Sequence, residues 1–157
     1  MPTSQVLTML AAVAVVAGSA VPVPAAAVPS PPPLHQGWIV PEQSPSRCLT
    51  GGPAGTVLHT AVCDRANQDQ DFYQTSEGHF TQGENCVQPN TTGSRVVVAR
   101  CTYRADQNWW YTTTLQAGGS RGRCLTEVSV DASGVGRVRL RDCTGAVTQR
   151  WRSVNPW

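Results

Sequence analysis

The residues with the most specific chemistry in this chain are six cysteines: Cys48, Cys63, Cys86, Cys101, Cys124 and Cys143. Thiols at such positions either ligate metal or form disulfides. Structural zinc needs ligands at close spacing, such as Cys-x-x-Cys, with histidines to match. No Cys-x-x-Cys pair occurs, and His35, His59 and His79 stand at no ligand spacing from any cysteine, so neither a metal nor another cofactor is expected. An even cysteine count points instead to disulfides formed in an oxidising compartment. The carboxylates include Asp64, Asp69, Asp71, Glu77, Glu84, Asp131 and Asp142. Glycoside hydrolysis needs two carboxyl groups facing each other across a cleft, and no spacing here singles out such a pair. There is no serine-nucleophile motif, and pairing leaves no cysteine free. An enzyme is therefore not expected.

Repetition positions these cysteines. The opening cysteines Cys48, Cys86 and Cys124 are spaced 38 and 38 apart, and the closing ones, Cys63, Cys101 and Cys143, 38 and 42. Each unit opens with Cys followed by Leu49, Val87 or Leu125. Each ends with Gln, any residue, then an aromatic: Gln70 with Phe72, Gln107 with Trp109, Gln149 with Trp151. Self-similarity at a fixed period means one structural unit made several times. The units fall at about residues 36–75, 76–113 and 114–157.

Each unit reads as strand. Alternating residues before the closing cysteine, Leu58 and Thr60, Val96 and Val98, Val138 and Leu140, share one face at period two. If the two cysteines of a unit face each other across an antiparallel hairpin, its turn falls at Gly55–Thr56, Gly93–Ser94 or Ser133–Gly134, each containing a glycine. Six cysteines allow fifteen pairings. The hairpin geometry selects Cys48–Cys63, Cys86–Cys101 and Cys124–Cys143, each worth roughly 3 kcal/mol by loop entropy. No helix of useful length is visible, so the fold class is all-β. Three such units can close around a shared axis and bury Leu49, Val87, Leu125, Phe72, Trp109 and Trp151 together.

The start of the chain has a different character. An apolar run from Val6 to about Ala20, followed by small residues and prolines, is expected to be a secretory signal over residues 1–27, although no Lys or Arg precedes it. Residues 28–35, with Pro29 and Pro31–Pro33, read as an extended spacer. Residues 36–157 fit one domain with a single core. The protein is expected to be secreted, extracellular and monomeric, with no membrane contact after signal cleavage. Every basic residue is Arg, and the net charge of +2 is too weak to argue for nucleic acid.

Cys-Leu, then Val-x-Leu-x-x-Cys, then Gln-x-Trp, three times over about residues 36–157, resembles the ricin B-chain-type β-trefoil lectin domain, with the third unit (VRLRDC and QRW) the nearest copy. The resemblance implies a twelve-strand β-trefoil with pseudo-threefold symmetry, its first strand supplied by Trp38, Ile39 and Val40. It also implies carbohydrate binding. In that family an Asp two residues after the opening Cys accepts hydrogen bonds from sugar hydroxyls. An aromatic two residues before the closing Cys stacks on the sugar, worth about 1 kcal/mol. An Asn before the motif Gln donates a further bond.

Those positions depart from the family. The Asp position holds Thr50, Gln88 and Thr126; the aromatic position Ala61, Ala99 and Arg141; the Asn position Asp69, Asp106 and Thr148. Two readings stand: a trefoil that has lost the sugar site, or a site of altered residues with weak affinity raised by multivalency. In the second reading the first unit offers Thr50, Asp69 and Gln70, with His59 near. The second unit offers Gln88, Asp106 and Gln107, with Tyr103 as a substitute platform. Trp110 follows the core Trp109 and points the other way, either exposed or packed under a loop.

One further feature is electrostatic. Arg137, Arg139 and Arg141 alternate with Val138 and Leu140, and Arg121–Trp157 holds seven Arg against three acids. This is either a patch for an anionic glycan or polymer, or an ordinary solvated face. The alternative to a lectin is a trefoil that binds an extracellular protein, such as a protease inhibitor working through an exposed loop.

Overall fold

The computed structural model describes residues 36–120 and 122–156; the leader expected over 1–27, the spacer over 28–35 and Trp157 lie outside the described residues. Twelve strands fill this span: β1 Trp38–Pro41, β2 Arg47–Thr50, β3 His59–Val62, β4 Phe72–Gln74, β5 Phe80–Gln82, β6 Asn85–Pro89, β7 Val96–Arg100, β8 Trp109–Tyr111, β9 Leu115–Ala117, β10 Arg123–Val130, β11 Gly136–Asp142 and β12 Trp151–Val154. Among the described residues the only helix is a 3-10 turn repeated three times, at Gln68–Gln70, Ala105–Gln107 and Val147–Gln149. Each turn ends on the motif glutamine of its unit.

The strands fall four to a unit. The chain closes on itself where β1 pairs antiparallel with β12, from Trp38 opposite Val154 to Pro41 opposite Trp151. Pairs β4–β5 and β8–β9 join successive units. The remaining strands form three hairpins, β2–β3, β6–β7 and β10–β11. These are stitched into a ring. Val57 bridges Val97 and the Leu58 N–H reaches the Val96 carbonyl at 2.9 Å. The Leu140 N–H reaches the Ser94 carbonyl at 3.0 Å. Arg137 pairs with His59, and Gly136 with Thr60. This closed threefold arrangement is the β-trefoil.

The disulfides are Cys48–Cys63, Cys86–Cys101 and Cys124–Cys143, with Cα separations of 5.0, 4.8 and 5.0 Å. The cysteines do not face each other directly, as the hairpin argument supposed. Register places Ala61, Ala99 and Arg141 opposite the three opening cysteines, so each bridge runs diagonally to a residue two positions on. In the first unit the reason is that Cys63 lies just past β3, where its N–H bonds the Ser46 carbonyl at 3.1 Å. The turn glycines Gly55, Gly93 and Gly134 all have left-handed backbones, with φ of 100°, 67° and 82°, a conformation that costs other residues a steric penalty.

Leu49, Val87, Leu125, Phe72, Trp109 and Trp151 are buried in one cluster with Ile39, Leu58, Val98, Val138 and Leu140. Burying each such side chain contributes about 1.5–3 kcal/mol. The indole N–H groups also find partners: Trp109 donates to the Val87 carbonyl at 2.8 Å and Trp151 to the Leu125 carbonyl at 2.9 Å. Phe72 has no such donor and instead stacks on Phe80 with ring centroids 5.1 Å apart.

Candidate functional site

The motif glutamines are wholly internal. Gln70 Oε1 accepts from the Asp64 N–H at 2.8 Å, while its Nε2 donates to the Val62 carbonyl at 2.9 Å and to Thr50 Oγ1 at 3.2 Å. Gln107 repeats the pattern. It accepts from the Thr102 and Tyr103 N–H groups at 2.8 and 2.9 Å, and donates to Gln88 Oε1 at 2.8 Å and the Arg100 carbonyl at 2.9 Å. Gln149 accepts from the Thr144 and Gly145 N–H groups and donates to Thr126 and the Asp142 carbonyl. Each glutamine clamps the loop after its closing cysteine to the residue two past its opening cysteine. Thr50 and Thr126 are buried and Gln88 is half-buried. Thr50, Gln70, Gln88 and Gln107 therefore spend polar groups on holding the loop.

Asp69 stands differently. Asn67 Oδ1 caps the 3-10 turn by accepting the Asp69 N–H at 3.0 Å, which fixes the carboxylate's direction. Asp69 Oδ1 then accepts from Gln82 Nε2 at 3.1 Å, across the junction with the second unit. Here lies a cleft of about 720 Å³, lined by Trp38, Asp69, Asp71, Tyr73, Thr81 and Gln82 among others. Asp71 is half-buried, and its Oδ1 has no hydrogen-bond partner among the described residues. Tyr73 is 48% exposed and Trp38 half-buried. The cleft thus joins carboxylates and an amide to aromatic rings, the pairing a sugar's polar rim and C–H face require.

The second unit places its residues less openly. Asp106 is half-buried, with Oδ1 3.9 Å from Arg104 Nε. Gly118 and Gly119 press on this loop: a Cβ on Gly118 would stand 2.7 Å from the Asn108 carbonyl oxygen, and one on Gly119 2.8 Å from Asp106 Cα. By strand register Gly118 corresponds to Gly83 of the first unit, which lines the open cleft. Tyr103 is 69% exposed and is a non-glycine residue held at φ 56°. Its N–H bonded to Gln107 maintains that backbone, and its ring meets His79 edge-on at 5.2 Å. Trp110 is 51% exposed, outward as its position after Trp109 suggests.

Tyr73 and Trp110 occupy the same place in their units, one residue past the core aromatic. The sequence reading missed Tyr73, Trp38 and Asp71; the logic that turned Trp110 outward from Trp109 turns Tyr73 outward from Phe72. His59, expected beside the first-unit site, pairs with Thr50 in the hairpin and lines a different cavity with Arg137 and Arg139.

Solved structures share the architecture. GalNAc-T7 with UDP, GalNAc and Mn2+ superposes with a TM-score of 0.68 at 22% identity, over 80% of this chain and 23% of that one. The hemolytic lectin CEL-III gives 0.65 at 24% identity, over 80% and 31%. This chain thus spans about a quarter to a third of those two. The earthworm lectin C-terminal domain mutant in complex with 6'-sialyllactose gives 0.62 at 14% identity, over 74% and 95%. At these identities the likeness is one of fold. No curated protein sequence matches the chain significantly. Residues 36–151 match the ricin-type beta-trefoil lectin domain, and the chain belongs to that family.

Proposed function

We propose that this protein is a secreted, monomeric, non-catalytic carbohydrate-binding module whose sugar site is the cleft beside Asp69. The observation that carries the reading is the cleft itself, where Asp69, Asp71 and Gln82 stand within one concave surface bounded by Trp38 and Tyr73. Carboxylate oxygens accept from vicinal sugar hydroxyls, and Asp69 and Asp71 both line this cleft. Tyr73 supplies an exposed ring for the sugar's C–H face. The family supports the class of ligand, and the earthworm lectin structure carries a bound oligosaccharide.

The site differs from the family's pattern because Thr50 and Ala61 replace its Asp and aromatic. One stacking contact of about 1 kcal/mol and a few hydrogen bonds of about 1–3 kcal/mol each leave affinity near the millimolar range. Such a module works by avidity on repeating polymers. The three disulfides and the apolar leader support export.

The test is retention of the purified protein on a panel of neutral soluble and insoluble polysaccharides, repeated with Tyr73→Ala and Asp71→Asn. The expected result is retention by at least one polymer, weakened about tenfold in each variant at unchanged melting temperature. Failure of the wild type on every polymer, or variants that bind as it does, would overturn the assignment to this cleft.

A further inference from the structure

A second cavity, of about 320 Å³, opens between the first and third hairpins and has a different chemistry. Its walls include Val57 and His59 from the first hairpin, Arg95 from the second, and Arg137 and Arg139 from β11. Arg141 follows on the same strand. Val138 and Leu140 are buried, Arg137 and Arg141 exposed and Arg139 half-buried, so all three guanidiniums leave by the outer face. None of Arg95, Arg137, Arg139 and Arg141 forms an ion pair among the described residues, whereas Arg47, Arg104, Arg123 and Arg150 each do. Arg139 is held below the usual guanidinium value, first by burial and then by the positive charges of Arg95, Arg137 and Arg141.

One acid shares this cavity. Asp131 lines it, but its Oδ1 already accepts from the Ser133 N–H at 2.9 Å, the Ser133 hydroxyl at 2.6 Å and the Val135 N–H at 3.0 Å. It serves its own turn and balances only part of the charge. Four like charges drawn together by two separate hairpins, none of them in an ion pair among the described residues and only Asp131 beside them, raise the local potential and favour an incoming anion.

We propose that this cavity is an anion site that takes the sulfate or carboxylate group of an acidic saccharide. The planar guanidinium fork matches both groups bidentately. The volume suits one sugar residue bearing such a group. No Phe, Tyr or Trp lines the cavity and His59 is its one ring, so successive nucleic-acid bases lack the row of aromatic platforms on which single strands stack. The site is separate from the Asp69 cleft and stands without it.

The experiment measures binding of the purified protein to dextran sulfate, polygalacturonate, uncharged dextran and single-stranded DNA at moderate salt. The first two probes separate sulfate from carboxylate recognition. The expected result is binding to at least one of them that falls with added salt, and none to dextran. Arg137→Gln/Arg139→Gln should weaken it at least tenfold. Arg100→Gln/Arg152→Gln removes the same charge from exposed positions outside the cavity and should change it less than threefold. Tyr73→Ala should leave it intact, which separates this site's failure from that of the Asp69 cleft. Equal losses in the two double variants would reduce the effect to net charge and overturn the site. Equal or tighter binding of DNA would overturn the saccharide assignment, and no binding to either acidic polymer would overturn the proposal.

Discussion

Arg47 of the first unit and Glu127 of the third meet inside the protein, with Arg47 Nη2 2.7 Å from Glu127 Oε1. The Glu127 side chain is fully shielded from water. Gln43 Nε2 donates to its Oε2 at 2.7 Å, and the Thr60 hydroxyl donates to Oε1. Strand β10 carries an extra residue, Val128, between the pairs Glu127–Val138 and Ser129–Arg137. Gly136 leaves the room: a Cβ there would strike both Thr60 Oγ1 and Glu127 Oε1. The pair joins the first and last units, where the ring of hairpins closes.

Removing one partner strands a buried charge, which costs about 3–5 kcal/mol. Arg47→Met should therefore destabilise the protein by about that amount in urea unfolding. Arg47→Met/Glu127→Leu should recover much of the loss, because two apolar side chains need no compensation. A double variant as unstable as the single would mean that shape rather than charge sets the cost.

The glutamine clamps lead to a second expectation. Gln149→Ala deprives the Thr144 and Gly145 N–H groups and the Asp142 carbonyl of a partner. Losing these part-buried bonds together with the buried Gln149 side chain costs about 2–3 kcal/mol, so the melting temperature should fall by about 10 °C. Thr148→Ala, next to it on the same turn, should shift it by less than about 3 °C. Equal shifts would remove the clamp's structural role and return the motif glutamine to the list of ligand contacts.

The scaffold was legible in the sequence because each landmark repeats for a backbone reason. Cys48–Cys63 and its two copies, the left-handed Gly55, Gly93 and Gly134, and the alternation of Val138 and Leu140 are local consequences of one hairpin. The site was less legible because its members come from different elements. Trp38 lies in β1, Asp69 in a 3-10 turn and Gln82 in β5, and no period links them. Glu127 was invisible for a related reason: its partners Arg47 and Thr60 are 80 and 67 residues away. A motif glutamine likewise reads the same whether it contacts sugar or, as Gln70 does, its own loop.

The disulfides invite a comparison among the units. Their separations are 15, 15 and 19 residues. Loop-closure entropy then differs by only about 0.2 kcal/mol between the third and the others, against roughly 3 kcal/mol for each bridge. Replacing each pair by alanine in turn should lower unfolding stability by nearly equal amounts. One pair standing more than about 1.5 kcal/mol apart would show that packing around its sulfurs outweighs the chain constraint they share.

Acid should act on the third hairpin through Asp131. Its carboxyl is held below the ordinary aspartate range, first by the Ser133 hydroxyl and then by the backbone N–H of Val135. The folded state therefore favours the charged form. The stabilisation is present at neutral pH, above the unfolded value, and is lost as pH falls through the folded value, beginning below about pH 4. Unfolding followed from pH 6 to pH 2.5 should show a smaller acid loss in Asp131→Asn than in the wild type, while Glu84→Gln, on the exposed surface, should follow the wild type. The same Asp131→Asn variant carries one negative charge fewer beside Arg137. At neutral pH it should bind dextran sulfate more tightly, and it should bind more weakly only if the turn that presents Arg137 has come apart.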